Sequence, residues 1–591
     1  MKRSIAWILA VLLLVSVCVL PGCGSGENKG NSDAIEVSYW IAKGEDSSYY
    51  MSYEENPVVK YLETLEFNGK KIDLSFVVPI SGAELDNFNT LLMTDEYTGI
   101  MDMSFSTSTA LELYEDGYVY DLTPYMEEYM PNYLRVVEEN PHLESLVFTN
   151  VDGEKKVLSL YSITDELMGN FMGYLYRRDW VAKYGKHPET GAAFTYGFTD
   201  PADFNTWYDD VVFPNGGTDP VYISDWEWMF EIFEVAMADL GITDGYCLAP
   251  YFKGYQEDGG FYSGFGGGNP MWSRTADGKA LFGGDSDNMR AMLQCLNTWW
   301  ENGWLDKNFV EHTSDQVYTT DSAKVHTGKV GMWIGRRAET GGQMDLDDPY
   351  TDGIYVAGAR QPINDIYGGE AQKNKEPDSM FQQSQLRGSL VITNKIAEED
   401  LPTVLTFLDY LYTAEGGTLM CFGLNDEQFE QMQDEAYIKF GLTDGAVRTE
   451  EQPDGTIKYI RTESLIADNN LASAMAAKRM TVGWYAPGFV PALNASYMPC
   501  ATDAMAEWDY YLNIGYPDKA YRTLFTAEES TTYDKVHANV DTFMSTQIPK
   551  FIMGNLDIDN DQDWADYCKM LNKYSPEKVT KVYQRVFELT K

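Results

Sequence analysis

Ile35-Glu36-Val37-Ser38-Tyr39-Trp40-Ile41 alternates apolar and polar side chains with a period of two, the pattern of a strand with one buried face. Asn56-Pro57 then supplies an N-cap and a first-turn proline, and Val58, Leu62 and Leu65 repeat at helical spacing until Asn68-Gly69. Ile72, Leu74, Phe76 and Val78 alternate again and stop at Pro79. A strand, a helix and a second strand in this order need a crossover, because parallel strands cannot be joined by a tight turn. The segment therefore predicts a parallel sheet and an α/β fold.

Upstream, Lys2 and Arg3 precede an unbroken apolar stretch from Ile5 to Leu20, the charged and greasy regions of a secretion signal. A run of that length approaches the minimum for a membrane span, but it ends in Leu20-Pro21-Gly22-Cys23. That tetrapeptide resembles the bacterial lipoprotein signal, in which cleavage precedes a cysteine that carries diacylglycerol on its sulfur. Residues 1–22 are thus expected to be a signal peptide and Cys23 the lipidation site, with Cys18 the alternative. Residues 24–32 carry no large apolar side chain and are expected, through residue 33, to be a flexible tether. No later stretch is apolar for long enough to cross a bilayer.

The 591 residues, 44% hydrophobic and 14% aromatic, suffice for two or more cores. A net charge of −47, from 91 acidic against 44 basic residues, repels phosphate backbones, so nucleic acid is excluded as a partner and a neutral or cationic ligand is favoured. Beyond Cys18 and Cys23, the cysteines Cys247, Cys295, Cys421, Cys500 and Cys568 are odd in number and scattered, which is no disulfide framework.

Farther along, Trp226, Met229, Phe230, Phe233, Met237 and Leu240 lie on one helical face before Gly241. A second helix is expected from Asp287, as cap, to Gly303, with Met289, Met292, Leu293, Leu296 and Trp300 apolar. A third carries Val404, Leu405, Leu408, Leu411 and Tyr412.

Catalytic signals are sparse. The histidines His142, His187, His312, His326 and His537 are isolated, with no zinc-binding spacing. Ser575 and Lys578 form a Ser-x-x-Lys that reads as a helix start, and the glycine-rich patch 259–268 lacks the Lys-Ser/Thr ending of a phosphate loop. In the acidic run Asp557, Asp559, Asp561 and Asp563, Gln562 and Cys568 stand where a calcium loop needs glycine and glutamate, so a capped helix N-terminus is expected. No catalytic residue, metal or cofactor is assigned. A glycosidase carboxylate pair stays open, because it is defined by spatial separation.

Several segments, in order, resemble the family 1 extracellular solute-binding proteins, in the long branch of lipoproteins beside Gram-positive carbohydrate importers. Glu115-Asp116-Gly117-Tyr118-Val119-Tyr120-Asp121-Leu122-Thr123-Pro124-Tyr125 with Met130-Pro131-Asn132 is similar to the segment after that family's third strand. Tyr174-Leu175-Tyr176-Arg177-Arg178-Asp179-Trp180 is similar to its entry into the second lobe. Asn302-Gly303-Trp304-Leu305-Asp306 with Gly328-Lys329-Val330-Gly331-Met332, then Phe407-Leu408-Asp409-Tyr410-Leu411-Tyr412-Thr413-Ala414-Glu415-Gly416, then Phe551-Ile552-Met553-Gly554 with Asp563-Trp564, complete the series. The chain departs from the pattern at Asp152-Gly153-Glu154-Lys155-Lys156-Val157-Leu158 and at Gly423-Leu424-Asn425-Asp426.

The resemblance implies a two-lobed periplasmic-binding-protein-like fold of type II, with a ligand cleft between the lobes. The first lobe is expected to comprise 34–172 and 336–410, the second 173–335 and 411–591. It further implies a monomeric binding protein, not an enzyme, that sits on the outer face of the cytoplasmic membrane through its lipid. Such a protein captures a carbohydrate, an oligosaccharide, for the permease subunits of an ABC transporter. Sugar clefts pair aromatic faces with carboxylate, amide or cationic groups on loops leaving strand ends. The expected ligand-binding residues are Trp40 and Lys43 after the first strand, Asp102 and Ser104 after the third, Trp272 after the glycine-rich patch, Arg336 after 330–334, and Trp484 with Tyr485 in a turn-rich segment. The rival readings are a cell-surface glycoside hydrolase or polysaccharide-binding protein, and a peptide-binding lipoprotein.

Overall fold

The computed structural model describes residues 34–41, 52–164 (without 81 and 152), 173–195, 210–249, 259–311 (without 276 and 277) and 324–335 (without 326). It further describes 355–377, 386–466 (without 434, 440, 441, 452, 454 and 456), 489–490, 504–511 (without 505) and 521–589 (without 523). In chain order the strands are β1 Ala34–Trp40, β2 Lys71–Val77, β3 Ile100–Asp102, β4 Thr149–Val151, β5 Glu154–Lys156 and β6 Leu160–Thr164. There follow β7 Gly173–Arg177, β8 Tyr246–Ala249, β9 Trp272–Arg274, β10 Ala280–Phe282 and β11 Val330–Gly335. The last are β12 Val356–Ala359, β13 Leu386–Ile392, β14 Val447–Glu451, β15 Ile457–Arg461 and β16 Phe489–Val490.

β1 and β2 pair in parallel from Ala34↔Lys71 to Trp40↔Val77, as the alternation at the start of the chain requires. The crossover helix, Pro57–Leu62, is capped by Asn56, whose side chain accepts from the Val58 N–H. It ends before Leu65, earlier than the apolar spacing predicts. Leu65 still packs on the core from the turn that follows.

Two larger sheets organise the chain. The first has the order β16-β6-β13-β3-β1-β2, the second β12-β7-β11-β8. Each carries its own core. Around the first sheet, Val37, Leu74, Ile100 and Ile163 pack with Tyr133, Val404, Leu408 and Leu419 from helices Pro131–Glu139, Leu401–Tyr410 and Ala414–Phe422, and with Tyr412 from the turn between the last two. Around the second, helices Ile223–Asp239, Asp287–Glu301, Ala527–Ile552, Asp561–Leu571 and Pro576–Leu589 bury a dense aromatic cluster. In it Trp226 stacks on Trp299 at 6.2 Å and Phe230 meets Trp299 edge-on at 5.0 Å.

These memberships correct the expected lobe boundaries. β12 pairs with β7 in the second sheet, so the chain does not return to the first lobe at 336. Residues of 411–446 pack in the first core, and β16 pairs with β6 of the first sheet, so the second lobe does not resume at 411. Lobe membership follows hydrogen bonds between segments distant in sequence, and local pattern does not report those.

Two helix readings change in detail. Ser286, not Asp287, caps the helix Asp287–Glu301, accepting from Met289 N–H, and Trp299 rather than Trp300 is its fully buried tryptophan. Leu240 lies just beyond the helix Ile223–Asp239 and is exposed.

Candidate functional site

Strand directions define the site. β1 is parallel to β2 and β3, β13 runs antiparallel to β3 and β6, and β16 is parallel to β6. The ends Trp40, Val77, Asp102, Thr164 and Val490 therefore share one edge of the first sheet with Leu386, where β13 begins. In the second sheet Gly335 pairs with Gly173, Ala359 with Tyr174 and Ala249 with Trp333. The start of β7 thus shares an edge with the ends of β8, β11 and β12.

The chain passes between these two edges three times, from Thr164 to Gly173, from Ala359 to Leu386 and from Val490 to Ala504. Eight residues separate Thr164 from Gly173, and a chain of that length reaches no more than about 30 Å when extended. The two edges therefore lie within reach of one another, and the space beyond strand ends is where α/β folds place ligands.

On the first edge, Asp102 is buried and its Oδ1 accepts from the Ser104 N–H at 2.8 Å and from the Ser104 hydroxyl at 2.6 Å. This turn fixes the carboxylate at the end of β3. Ser104 in turn lies close to β13, its Oγ 3.8 Å from where a Cβ on Gly388 would sit. Burial, then the Asp102 carboxylate, then Tyr53, push the neighbouring Tyr39 phenol well above its usual range. Two expected site residues are thereby brought together at the edge.

Trp40 is corrected. It is the last residue of β1 rather than a loop residue, and it is fully buried. Its indole N–H donates to Asn87 Oδ1 at 2.8 Å and its ring meets Phe88 edge-on at 5.2 Å, so it packs against the helix Glu84–Thr94. Trp272 is corrected too. It belongs to the β9–β10 hairpin, where it stacks on Tyr583 at 6.4 Å and donates to Thr580 Oγ1 at 3.2 Å, both on the C-terminal helix. Lys43, Arg336, Trp484, Tyr485 and Cys23 lie outside the described residues.

The second edge holds a group that the sequence did not reveal. Arg360, the residue after β12, donates from Nε to Glu507 Oε2 at 2.7 Å and from Nη2 to Oε1 at 2.9 Å. Its guanidinium lies 3.8 Å from the centre of the Tyr510 ring, and Tyr511 braces that ring edge-on at 4.9 Å. Tyr510 is 60% exposed. Burial, partly offset by Arg360 and reinforced by Tyr510, pushes the Tyr511 phenol up to about 12. The segment is pressed onto the second sheet: Trp508 donates to the Tyr174 carbonyl at 2.9 Å, and a Cβ on Gly358 would sit 2.6 Å from Ala504 Cα. Glu507-Trp508-Asp509-Tyr510-Tyr511 is dense in aromatic and acidic residues, the one local signal that could have found it.

The Arg177–Trp180 motif is structural by comparison. Arg177 forms a two-pronged buried pair with Asp179 and lies 4.5 Å from the centre of the Trp180 ring, at the end of β7 remote from Gly173. In the acidic run, Asn560 caps the helix Asp561–Leu571. Among the described residues no group of three or more His, Cys, Asp or Glu is placed to hold a metal ion. Nor, among them, is any helix long and apolar enough to cross a membrane.

No known family's sequence profile matches the chain, and no curated protein matches it in sequence. Its backbone is similar to those of many solved structures. One is the alginate-binding protein AlgQ2 without calcium ion, at 14% identity over 94% of this chain and 98% of that one, with a TM-score of 0.59. Another is the S. pneumoniae ABC-transporter substrate binding protein FusA in complex with kestose, at 17% identity over 94% and 99%, with a TM-score of 0.60. A third is an extracellular solute-binding protein from Bifidobacterium longum subsp. infantis, at 12% identity over 94% and 98%, with a TM-score of 0.63. Likeness over nearly the whole of both chains gives this chain their fold, two α/β lobes of the periplasmic-binding-protein type.

Proposed function

We propose that this chain is the lipid-anchored, extracellular solute-binding component of an ABC carbohydrate importer. It captures an oligosaccharide between its two lobes and presents it to permease subunits. The observation that carries the reading is the pair of strand-end edges within reach of one another and joined by three crossings, the arrangement that closes on a ligand by hinge bending. The Ser104 hydroxyl that Asp102 holds on one edge, and the aromatic and guanidinium groups around Tyr510 on the other, are the groups that recognise sugar hydroxyls and C–H faces. The anchor rests on Cys23 and the apolar run before it.

A thermal-shift plate of oligosaccharides and peptides tests the reading, because a ligand selective for the folded state raises its melting temperature. At least one oligosaccharide is expected to raise it and to be recovered intact. A shift by a peptide alone would move the protein to a peptide-binding role. Release of cleaved sugar, abolished by replacing one carboxylate, would move it to a glycoside hydrolase.

A further inference from the structure

We propose that Tyr510, Arg360 and Glu507 form a subsite for an uncharged pyranose unit, and that Glu507 sets the preference for this unit over a uronate. The inference deepens the carbohydrate reading and rests on it. Tyr510 is a large aromatic residue that is 60% exposed and yet held in place. Arg360 lies over one face of its ring at 3.8 Å and Tyr511 meets the ring in a T-shaped contact at 4.9 Å. The ring surface that these contacts leave exposed is an apolar platform at the edge of the second sheet that borders the cleft. The C–H face of a pyranose packs on such a ring with little ordering cost, because the ring is already immobile.

The charges beside the platform decide which sugar it takes. Glu507 engages Arg360 through Nε and Nη2, the two-pronged edge that would otherwise clamp a ligand carboxylate. The pair is neutral as a unit and mostly shielded from solvent, with side-chain exposures of 13% and 20%. Arg360 Nη1 makes no hydrogen bond to a described residue and is left to donate to a neutral hydroxyl. A uronate would meet the Glu507 carboxylate there, on a chain that already carries a net charge of −47.

The test uses the mature protein in calorimetric titration and thermal shift with maltopentaose, xylopentaose and mannopentaose, beside a tetraguluronate. The wild type is expected to bind a neutral oligomer and not the uronate. Tyr510→Ala is expected to weaken that binding at least fivefold with an unchanged melting temperature, and Tyr510→Phe to retain it. Glu507→Gln, which leaves Arg360 with an unpaired charge, is expected to gain measurable uronate binding, a change that a merely structural role would not produce. Unaltered affinity in Tyr510→Ala, or wild-type preference for the uronate, overturns this subsite and leaves the carbohydrate reading standing. A wild type that binds no glycan overturns both.

Discussion

Asp409 accepts hydrogen bonds from the Asn132 side chain at 2.7 Å and from the backbone N–H groups of Asn132 and Tyr133 at 3.3 and 2.9 Å, across 277 residues of chain. It caps the helix Pro131–Glu139 from another helix, since Met130 makes no side-chain cap of its own. Two of the segments that carry the family resemblance thus meet in one contact.

Asp409→Ala is expected to destabilise the protein by about 1–3 kcal/mol, because it strands buried backbone donors, and Asp409→Asn by less, because its amide oxygen still accepts. Burial raises the Asp409 pKa, outweighing the hydrogen bonds that lower it. The folded-state value is then above the unfolded one, so its contribution is full below the unfolded pKa and shrinks as pH rises through the folded one. The stability deficit of Asp409→Asn should accordingly be larger near pH 3 than at pH 7. Denaturant titrations of wild type and variant across that range measure it.

Burial pushes the phenols of Tyr262 and Tyr511 up to about 12. Against an unfolded value of about 10, each supports folding fully below pH 10 and loses that support as pH rises towards 12. Thermal melts at pH 9, 10, 11 and 12 should show a falling midpoint. Tyr262→Phe, which cannot ionise, should flatten that fall while giving up the hydrogen bond between Tyr262 and Ser286.

Trp40 and Tyr510 should separate packing from binding. Trp40→Ala is expected to cost about 3–5 kcal/mol of stability, the usual loss for a fully buried tryptophan. Trp272→Ala should cost less, since that ring is only partly buried. Neither should change saccharide affinity while the protein remains folded. Affinity and melting temperature measured together distinguish these variants from Tyr510→Ala, and lost affinity at unchanged stability in Trp40→Ala would return it to the site.

Gly358→Ala puts a methyl 2.6 Å from the Ala504 Cα, a backbone atom that cannot rotate away. Relief requires shifting the segment that carries Glu507 and Tyr510. The variant is expected to lose about 1–3 kcal/mol of stability and some saccharide affinity together. An unchanged affinity would show that this segment does not shape the site.

Cys23→Ala is expected to release the protein from the membrane fraction to the medium, and the intact mass of the wild type should correspond to a diacylated start at Cys23. A mature start at any other residue overturns the anchor.

The beginning of the fold was legible because β1, the Asn56-Pro57 cap and β2 are adjacent in sequence and their order leaves only a parallel crossover. Helix stripes such as Trp226, Met229, Phe230 and Phe233 were legible because one helix buries one face. Of the expected site residues, Asp102 and Ser104 stand together at a strand end, where pattern and turn chemistry both point.

What the sequence determined by itself was therefore the local and the periodic: the α/β class, the individual helices and the strand ends. Tertiary structure alone decided which segments share a lobe, why Trp40 is packing, and where an exposed aromatic platform stands. Arg360 and Glu507 are 147 residues apart, and Asn132 and Asp409 are 277 apart. Burial and charge pairing at such separations depend on how the sheets bring the chain together, and no periodicity along the chain encodes them.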